Sequence, residues 1–473
     1  ASAVANLGVP GLDGVKAGLR LRLRCTAGQP FSQLPLERLP LFLRGPEVAY
    51  PLYEQLMANM LALVVQPARK PVNWHESLPA SSVKPVGFDD EQAMLSCSAR
   101  SFQGYRLLQE YFAMPERFLF VELTDLQRAL RRCEDSELDL IFLFNRSVAD
   151  LADIVGTGNF NLFCTPAVNL FPKRADRIHL SSTTAEYHIV PDRTRPMDFE
   201  VYDVTEVLGY GTGAEPEREF LPFYQLKDRH IHRKTRAYYM LTREQRRLSS
   251  AQRRKGPRTS YIGSEVFISL VDAEEAPFSS NLKQLGLQLL CTNRDLPIQM
   301  PVEVGPSDFS LQMGAPVESI RCLAGPTRPK PSLAHRKTAW RLISHLSLNY
   351  LSLIDNDSKE GAAALRQLLK LYSDASEPYL RRQLEGLVSI NSTPIISPVS
   401  REGPITFCRG LELTLTFDES AFEGSGVFLL GAVLEHFLSH YVSINSFTET
   451  VIKTTERSEI ARWPARLGKR HQI

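Results

Sequence analysis

Apolar and basic residues alternate one by one through Leu19-Arg20-Leu21-Arg22-Leu23-Arg24, a period of two that predicts a strand with one apolar and one basic face. Tyr50–Leu63 changes the period. Leu52, Leu56 and Leu63, with Tyr53, Met57 and Leu61 beside them, form the wide apolar stripe of a helix that faces a core or a partner. The short continuous runs Phe118–Val121 and Leu138–Phe144 have strand length, and the polar, Pro-containing stretch Gln66–Lys84 reads as a loop. In the middle of the chain Ala185–Val190, Phe199–Val207, Val266–Val271 and Leu285–Leu290 carry β-branched and aromatic residues between Pro, Gly and Asp, which predicts strands. The last third predicts helices over Trp340–Ile354, Gly361–Tyr372 and Val427–His440, with an alternating strand at Leu411–Phe417.

These periodicities predict an α+β, multidomain chain, strand-rich in its centre with helices in the first and last thirds. The expected division is a mixed α/β domain over 1–180, a strand-rich domain over 181–324, and an α+β C-terminal domain over 332–473. Between the last two lies a stiff Pro-rich linker at Gly325–Pro331. The central domain is expected to carry a mobile basic insertion at 227–258, because Thr242–Thr259 holds a single large aliphatic residue, Leu248.

Composition narrows the function classes. The chain has 473 residues, 43% hydrophobic and 23% charged, as globular multidomain proteins do. Lys and Arg number 55 against 53 acidic residues, a balance that gives no reason to expect nucleic acid or a membrane surface as partner for the whole chain. No apolar run approaches the ~20 residues of a membrane span. The seven cysteines (25, 97, 133, 164, 291, 322 and 408) are scattered without a Cys-x-x-Cys pair, which argues for reduced, buried thiols and a cytosolic setting. The chain opens at Ala1 without an initiator Met, close to an amphipathic strand, so further residues are expected upstream.

Candidate catalytic patterns fail on their spacing. Gly209-Tyr210-Gly211-Thr212-Gly213 follows a strand, yet lacks the Lys-Ser/Thr of a phosphate loop and is followed by Glu215 and Glu217. His436 and His440 are one helical turn apart, but Glu435 precedes them, so the His-Glu-x-x-His order of a zinc protease is missing. His230 and His232 lie in a basic cluster that disfavours a dication. Ser280–Lys283 fits Ser-x-x-Lys by a spacing that chance supplies freely. In the basic segment, Arg246, Arg247, Arg253, Arg254 and Lys255 are candidate interaction residues for an acidic protein surface. The alternative is a nucleic-acid-binding protein that uses the same cations for phosphates and Tyr238-Tyr239 for stacking.

Longer runs are more specific. Cys291-Thr292-Asn293-Arg294-Asp295-Leu296-Pro297 follows a strand, and Trp340–Leu353 carries Arg341, His345 and Asn349 as a polar stripe at four-residue spacing. With them go Ser264–Asp272, Val442–Phe447 with Asn445, and the closing Arg462–Gly468. In this order, from Arg20 to the C-terminus, the runs resemble the TssF family (also VasA or ImpG), a baseplate subunit of the type VI secretion system. The resemblance implies a structural wedge subunit with no catalytic residue, cofactor or metal ligand, and a family N-terminal helical portion that this chain lacks. It implies as partners TssG, a second TssF copy and TssK, with TssE and VgrG as further candidates, and no nucleic acid. Two TssF copies to one TssG would build the platform for contractile sheath and tube assembly. Its place would be the cytoplasm of a Gram-negative bacterium, docked to the inner-membrane secretion complex only through the assembled baseplate. Cys291, Asn293, Arg294, Asp295, Arg341, His345, Asn349 and Asn445 are expected to act as structural motif residues.

Overall fold

The computed structural model of the chain describes residues 14–96, 103–213, 216, 218–223, 237–248, 250, 254, 258–272, 278, 281–332, 340, 358–373, 377–399, 406–442 and 446–468. It forms two compact units, residues 1–167 with 347–473, and residues 168–346. The first and last thirds, expected as separate domains, therefore share one unit.

The first unit opens with β1 (Ala17–Arg24), β2 (Leu39–Leu43), α1 (Ala49–Ala58), β3 (Met60–Pro67), β4 (Glu76–Pro79) and β5 (Val83–Val86). It continues with α2 (Gln103–Ala113), β6 (Phe120–Leu123), α3 (Gln127–Leu130), β7 (Glu137–Phe144), α4 (Ala149–Ile154) and β8 (Phe160–Asn161). Two four-stranded sheets result, in the orders β1-β7-β3-β4 and β5-β6-β2-β8. The alternation of β1 does what its period requires: Arg20, Arg22 and Arg24 are exposed, and Arg22 donates to Asp139 across the pair with β7 at 2.8 and 3.0 Å. The helix expected over Tyr50–Leu63 stops early. It ends at Ala58, and Met60–Val65 pairs as β3 between β7 and β4, where Leu63, Val64 and Val65 are fully buried. Two adjacent valines stiff at χ1 and a strand partner on each side outweigh the helical spacing of Leu61 and Leu63. The loop expected at Gln66–Lys84 likewise contains β4 and the start of β5.

The second unit holds β9 (Phe171–Arg174), β10 (Ile178–His179), β11 (Tyr187–His188), β12 (Glu200–Tyr210), β13 (Arg218–Pro222), β14 (Ala237–Gln245), β15 (Ser264–Asp272) and β16 (Gln284–Thr292). They make one eight-stranded sheet, ordered β10-β16-β12-β13-β14-β15-β11 with β9 also on β16. Its core is Val201, Val204, Val207, Phe220, Ile268, Leu285, Leu287 and Leu289 with their neighbours. Gly209 sits under Phe220 and Leu282, where a Cβ would lie 3.0–3.2 Å from their side chains. The Gly-rich sequence is thus the end of β12 and its turn toward β13. The insertion expected at 227–258 is corrected over its described part. Ala237–Gln245 is a nine-residue strand paired along its length with β15. Ala237 and Tyr239 enter the core and the Tyr239 hydroxyl donates to Val204 O, while Glu244 and Gln245 are exposed. Residues 227–236, 249, 251–253 and 255–257 lie outside the described residues.

The chain returns to the first unit with α5 (Ser358–Tyr372), α6 (Pro378–Glu385), β17 (Leu387–Val399), β18 (Thr406–Phe417), α7 (Val427–Tyr441), β19 (Phe447–Thr454), β20 (Ala461–Arg462) and β21 (Arg466–Leu467). The sheet order is β17-β18-β19-β20 with β21 also on β19. β18 and β19 are parallel, which requires a crossover, and α7 supplies it. From Val427 to Ser439 nearly every residue of α7 is buried, the signature of a helix enclosed on all sides. Tyr53 meets Phe428 at 5.8 Å, Phe88 stacks on His436 at 4.3 Å, and Arg457 pairs with both Glu54 and Glu419, so residues remote in sequence close around this helix. The helix expected at Trp340–Ile354 falls outside the described residues apart from Trp340, which is exposed. Among the described residues no helix is long and apolar enough to cross a membrane.

Candidate functional site

The motif after β16 sits in a polar node of the second unit. Cys291 is the last inward residue of that central strand, opposite Val201, and burial pushes its thiol up to about 11. A thiol so buried and protonated is a poor nucleophile at neutral pH. The strand then turns: Arg294 adopts a left-handed φ of 57°, and its N–H donates to the Thr292 hydroxyl at 3.2 Å. Asn293 N–H donates to the Asn169 side chain at 2.6 Å, and Asn293 Nδ2 reaches Asp198 O at 3.4 Å. The turn is thereby tied to the loop that precedes β12.

Arg294 is buried and fully engaged. Nη2 donates to Ile262 O at 2.7 Å, Nη1 to Met197 O at 3.2 Å, and Nε lies 3.9 Å from Glu200. Glu200 accepts from the Tyr261 hydroxyl at 2.8 Å and from the Ser264 amide at 2.8 Å and hydroxyl at 2.5 Å. Burial, with the Glu200 charge adding to it, raises the Tyr261 phenol far above its ordinary range. Gly263 has φ 77°, and a Cβ there would lie 3.0 Å from Glu200 Oε2 and 3.1 Å from Arg294 Nη2, so the pair closes only over a glycine.

Asp295 completes the node. Its carboxylate accepts from Arg258 Nη2 at 2.6 Å, Arg258 Nε at 3.3 Å and the Thr259 hydroxyl at 2.6 Å. Burial pushes its carboxyl up, but the Arg258 and Thr259 bonds outweigh burial and hold it at about 2. The folded carboxyl lies below its ordinary 3.8, so its contribution to stability is present in full above that value. It is lost as pH falls from 3.8 toward about 2. Asp295→Ala is expected to cost about 1–3 kcal/mol at neutral pH and to flatten the acid limb of the stability curve in that window. Urea titrations of both chains at several pH values check this.

The candidate cations of the basic segment divide. Arg246 donates to Pro196 O at 2.8 Å and lies 3.5 Å from Glu265, so its guanidinium serves the fold. Arg243 and Arg258, which sequence reasoning did not single out, are used in the same way, Arg243 donating to Val201 O at 2.8 Å and Tyr202 O at 2.9 Å. Their one sequence signal is a charged residue on a strand flank. Arg247 and Arg254 are exposed, whereas Arg253 and Lys255 lie outside the described residues. Arg247 borders a depression of about 270 Å³ that Glu186, Glu244 and Glu265 also line, a charge balance that repels phosphate. Arg341, His345, Asn349 and Asn445 lie outside the described residues.

In the first unit the polar clusters also turn inward. Glu110 of α2 accepts from the Met94 and Leu95 amides at 3.0 Å and pairs with both Arg106 and Arg117. Glu435 of α7 pairs with Arg466 at 2.7 Å and with His436, whose ring also meets Ala432 O at 3.0 Å. Burial raises the Glu435 carboxyl, but His436 and Arg466 prevail and lower it. Among the described residues no three His, Cys, Asp or Glu are grouped to hold a metal. What these nodes can do chemically is fix strand ends and helix faces against one another.

Residues 3–470 match the family "Type VI secretion system, TssF". The type VI secretion system component TssF1 of Pseudomonas aeruginosa (strain PAO1) is 56% identical over 460 residues, which are 97% of this chain and 73% of that protein. Among solved structures, a chain of the type VI secretion TssK-TssF-TssG baseplate subcomplex is similar, with TM-score 0.68 and 25% identity over 96% of this chain and 79% of that one. A chain of a type VI secretion baseplate complex shares the fold at TM-score 0.52 and 20% identity, over 93% of this chain and 72% of that one.

Proposed function

The chain belongs to the TssF family of the type VI secretion system, and on that premise we propose that it is a structural subunit of the baseplate, assembling with TssG and TssK. The observation that carries this reading is the family match along residues 3–470, joined by the likeness to a chain of the TssK-TssF-TssG subcomplex. The side-chain chemistry supports a scaffold that works without catalysis. Glu200, Arg294 and Asp295 spend their charges on one another and on the backbone, and the Cys291 thiol is held protonated. As part of the same reading, two copies meet one TssG, TssE and VgrG are neighbours in the assembled platform, and the chain works in the cytoplasm. It reaches the inner-membrane secretion complex only through that platform.

Cys291, Asn293, Arg294 and Asp295 hold the second unit's fold in this reading, and the subunit contacts lie elsewhere on the surface. Affinity capture of the tagged chain, coexpressed with the TssG and TssK of its own system, tests the proposal. Both subunits should copurify in fixed proportion and remain bound in salt that screens surface charge. A chain that purifies free of both contradicts it.

A further inference from the structure

The β17–β18 hairpin is longer than the sheet that supports it. β19 covers β18 only from Gly410 to Phe417, where the absent Gly410 side chain lets the Phe447 ring lie across the strand. Beyond that point Ile396↔Arg409, Ser397↔Cys408, Pro398↔Phe407 and Val399↔Thr406 continue as a ribbon of two strands alone among the described residues. Paired residues of an antiparallel ladder share a face, and so do residues two apart. One face of the ribbon therefore carries Ile396, Phe407 and Arg409, with Pro394 and Leu411 at its base. Ile396 is 68% exposed and Phe407 71%. Arg409 is exposed too and has no ion-pair partner among the described residues.

A two-stranded ribbon is marginal in water, and one that turns a Phe and an Ile outward gains nothing from solvent. Its free edge does not invite another strand. Proline survives inside a strand only where its nitrogen faces away from the ladder, so Pro394 blunts the outer edge of β17. Recognition falls to the side-chain face. We propose that the ribbon face bearing Ile396, Phe407 and Arg409 docks a different protein subunit, which covers it with an apolar patch bordered by a carboxylate. Charge decides between that occupant and a second copy of this chain. Two copies pairing through this face would bury both Arg409 guanidiniums in one interface with no carboxylate on the face to meet either, whereas a carboxylate on another subunit would neutralise the charge. The proposal rests on the baseplate reading, since it assigns one of that scaffold's contacts.

The test uses the full chain coexpressed with the TssG and TssK of its own system, measuring dissociation of the purified assembly. Ile396→Asp and Phe407→Asp should each weaken it roughly thirtyfold or more, the weight of a central interface residue. Arg409→Glu should weaken it as well, Thr393→Lys on the opposite face should not, and every variant should melt with the parent. Unchanged assembly overturns the docking surface and leaves the baseplate reading standing. Loss confined to association of the chain with itself assigns the face to a second copy and also overturns it, as does a variant that melts well below the parent. A parent chain that binds neither subunit removes the baseplate reading and this proposal together.

Discussion

Replacing Glu110 by alanine should lower the stability of the first unit by about 3–5 kcal/mol, because two buried guanidiniums lose the carboxylate between them. Arg106 and Arg117 have side chains only 3% exposed, and Glu110 is 2% exposed. Arg106 keeps its contact to Asp90 at 3.2 Å, and Arg117 keeps the Gly87 and Gln92 carbonyls at 2.9 Å. Neither replaces the lost charge at the centre. Burial, with Arg106 adding to it, already lowers the Arg117 guanidinium to about 10, so it stays charged at neutral pH and must bear the loss as a cation. The Met94 and Leu95 amides lose their acceptor in the same step. Equilibrium urea unfolding followed by fluorescence measures the change. A loss below about 1 kcal/mol would mean that the node is open to water.

Phe437→Ala in α7 should cost a similar amount, about 3–5 kcal/mol, through the transfer of a whole aromatic ring and the cavity it leaves. Phe437 has no solvent exposure, and its ring lies 5.8 Å from that of Tyr105 in α2. The helix packs against residues from both ends of the sequence, so the variant should loosen both. Hydrogen exchange should accelerate in β3 and in β19 together. Exchange that rises in one of them alone would show that the two halves of the unit unfold separately.

Both sites lie in elements of unequal legibility. The period of two in β1, the apolar runs of β7 and β16, and the all-round apolar α7 are readable because each pattern is local to its own element. β3 was absorbed into a helix because Leu61 and Leu63 suit either period, and only its two strand partners decide. β14 escaped because its second half, Thr242 to Gln245, is wholly polar and by itself looks like a solvated segment. β17 carries two prolines, which count against a strand until its place at a sheet edge is known. In the polar node, Arg294 and Asp295 stood out as a motif, but their partners did not. Glu200, Arg258 and Tyr261 are named by geometry, at separations that no local spacing encodes. The same holds for Arg457 and Glu54, 403 residues apart.

The baseplate assignment itself is tested most directly by a cryo-electron microscopy map of the assembly purified after coexpression with TssG and TssK. The account predicts density for both units of this chain in contact with TssG, two copies of it to each TssG. A complete TssG–TssK particle from which this chain is absent would contradict it.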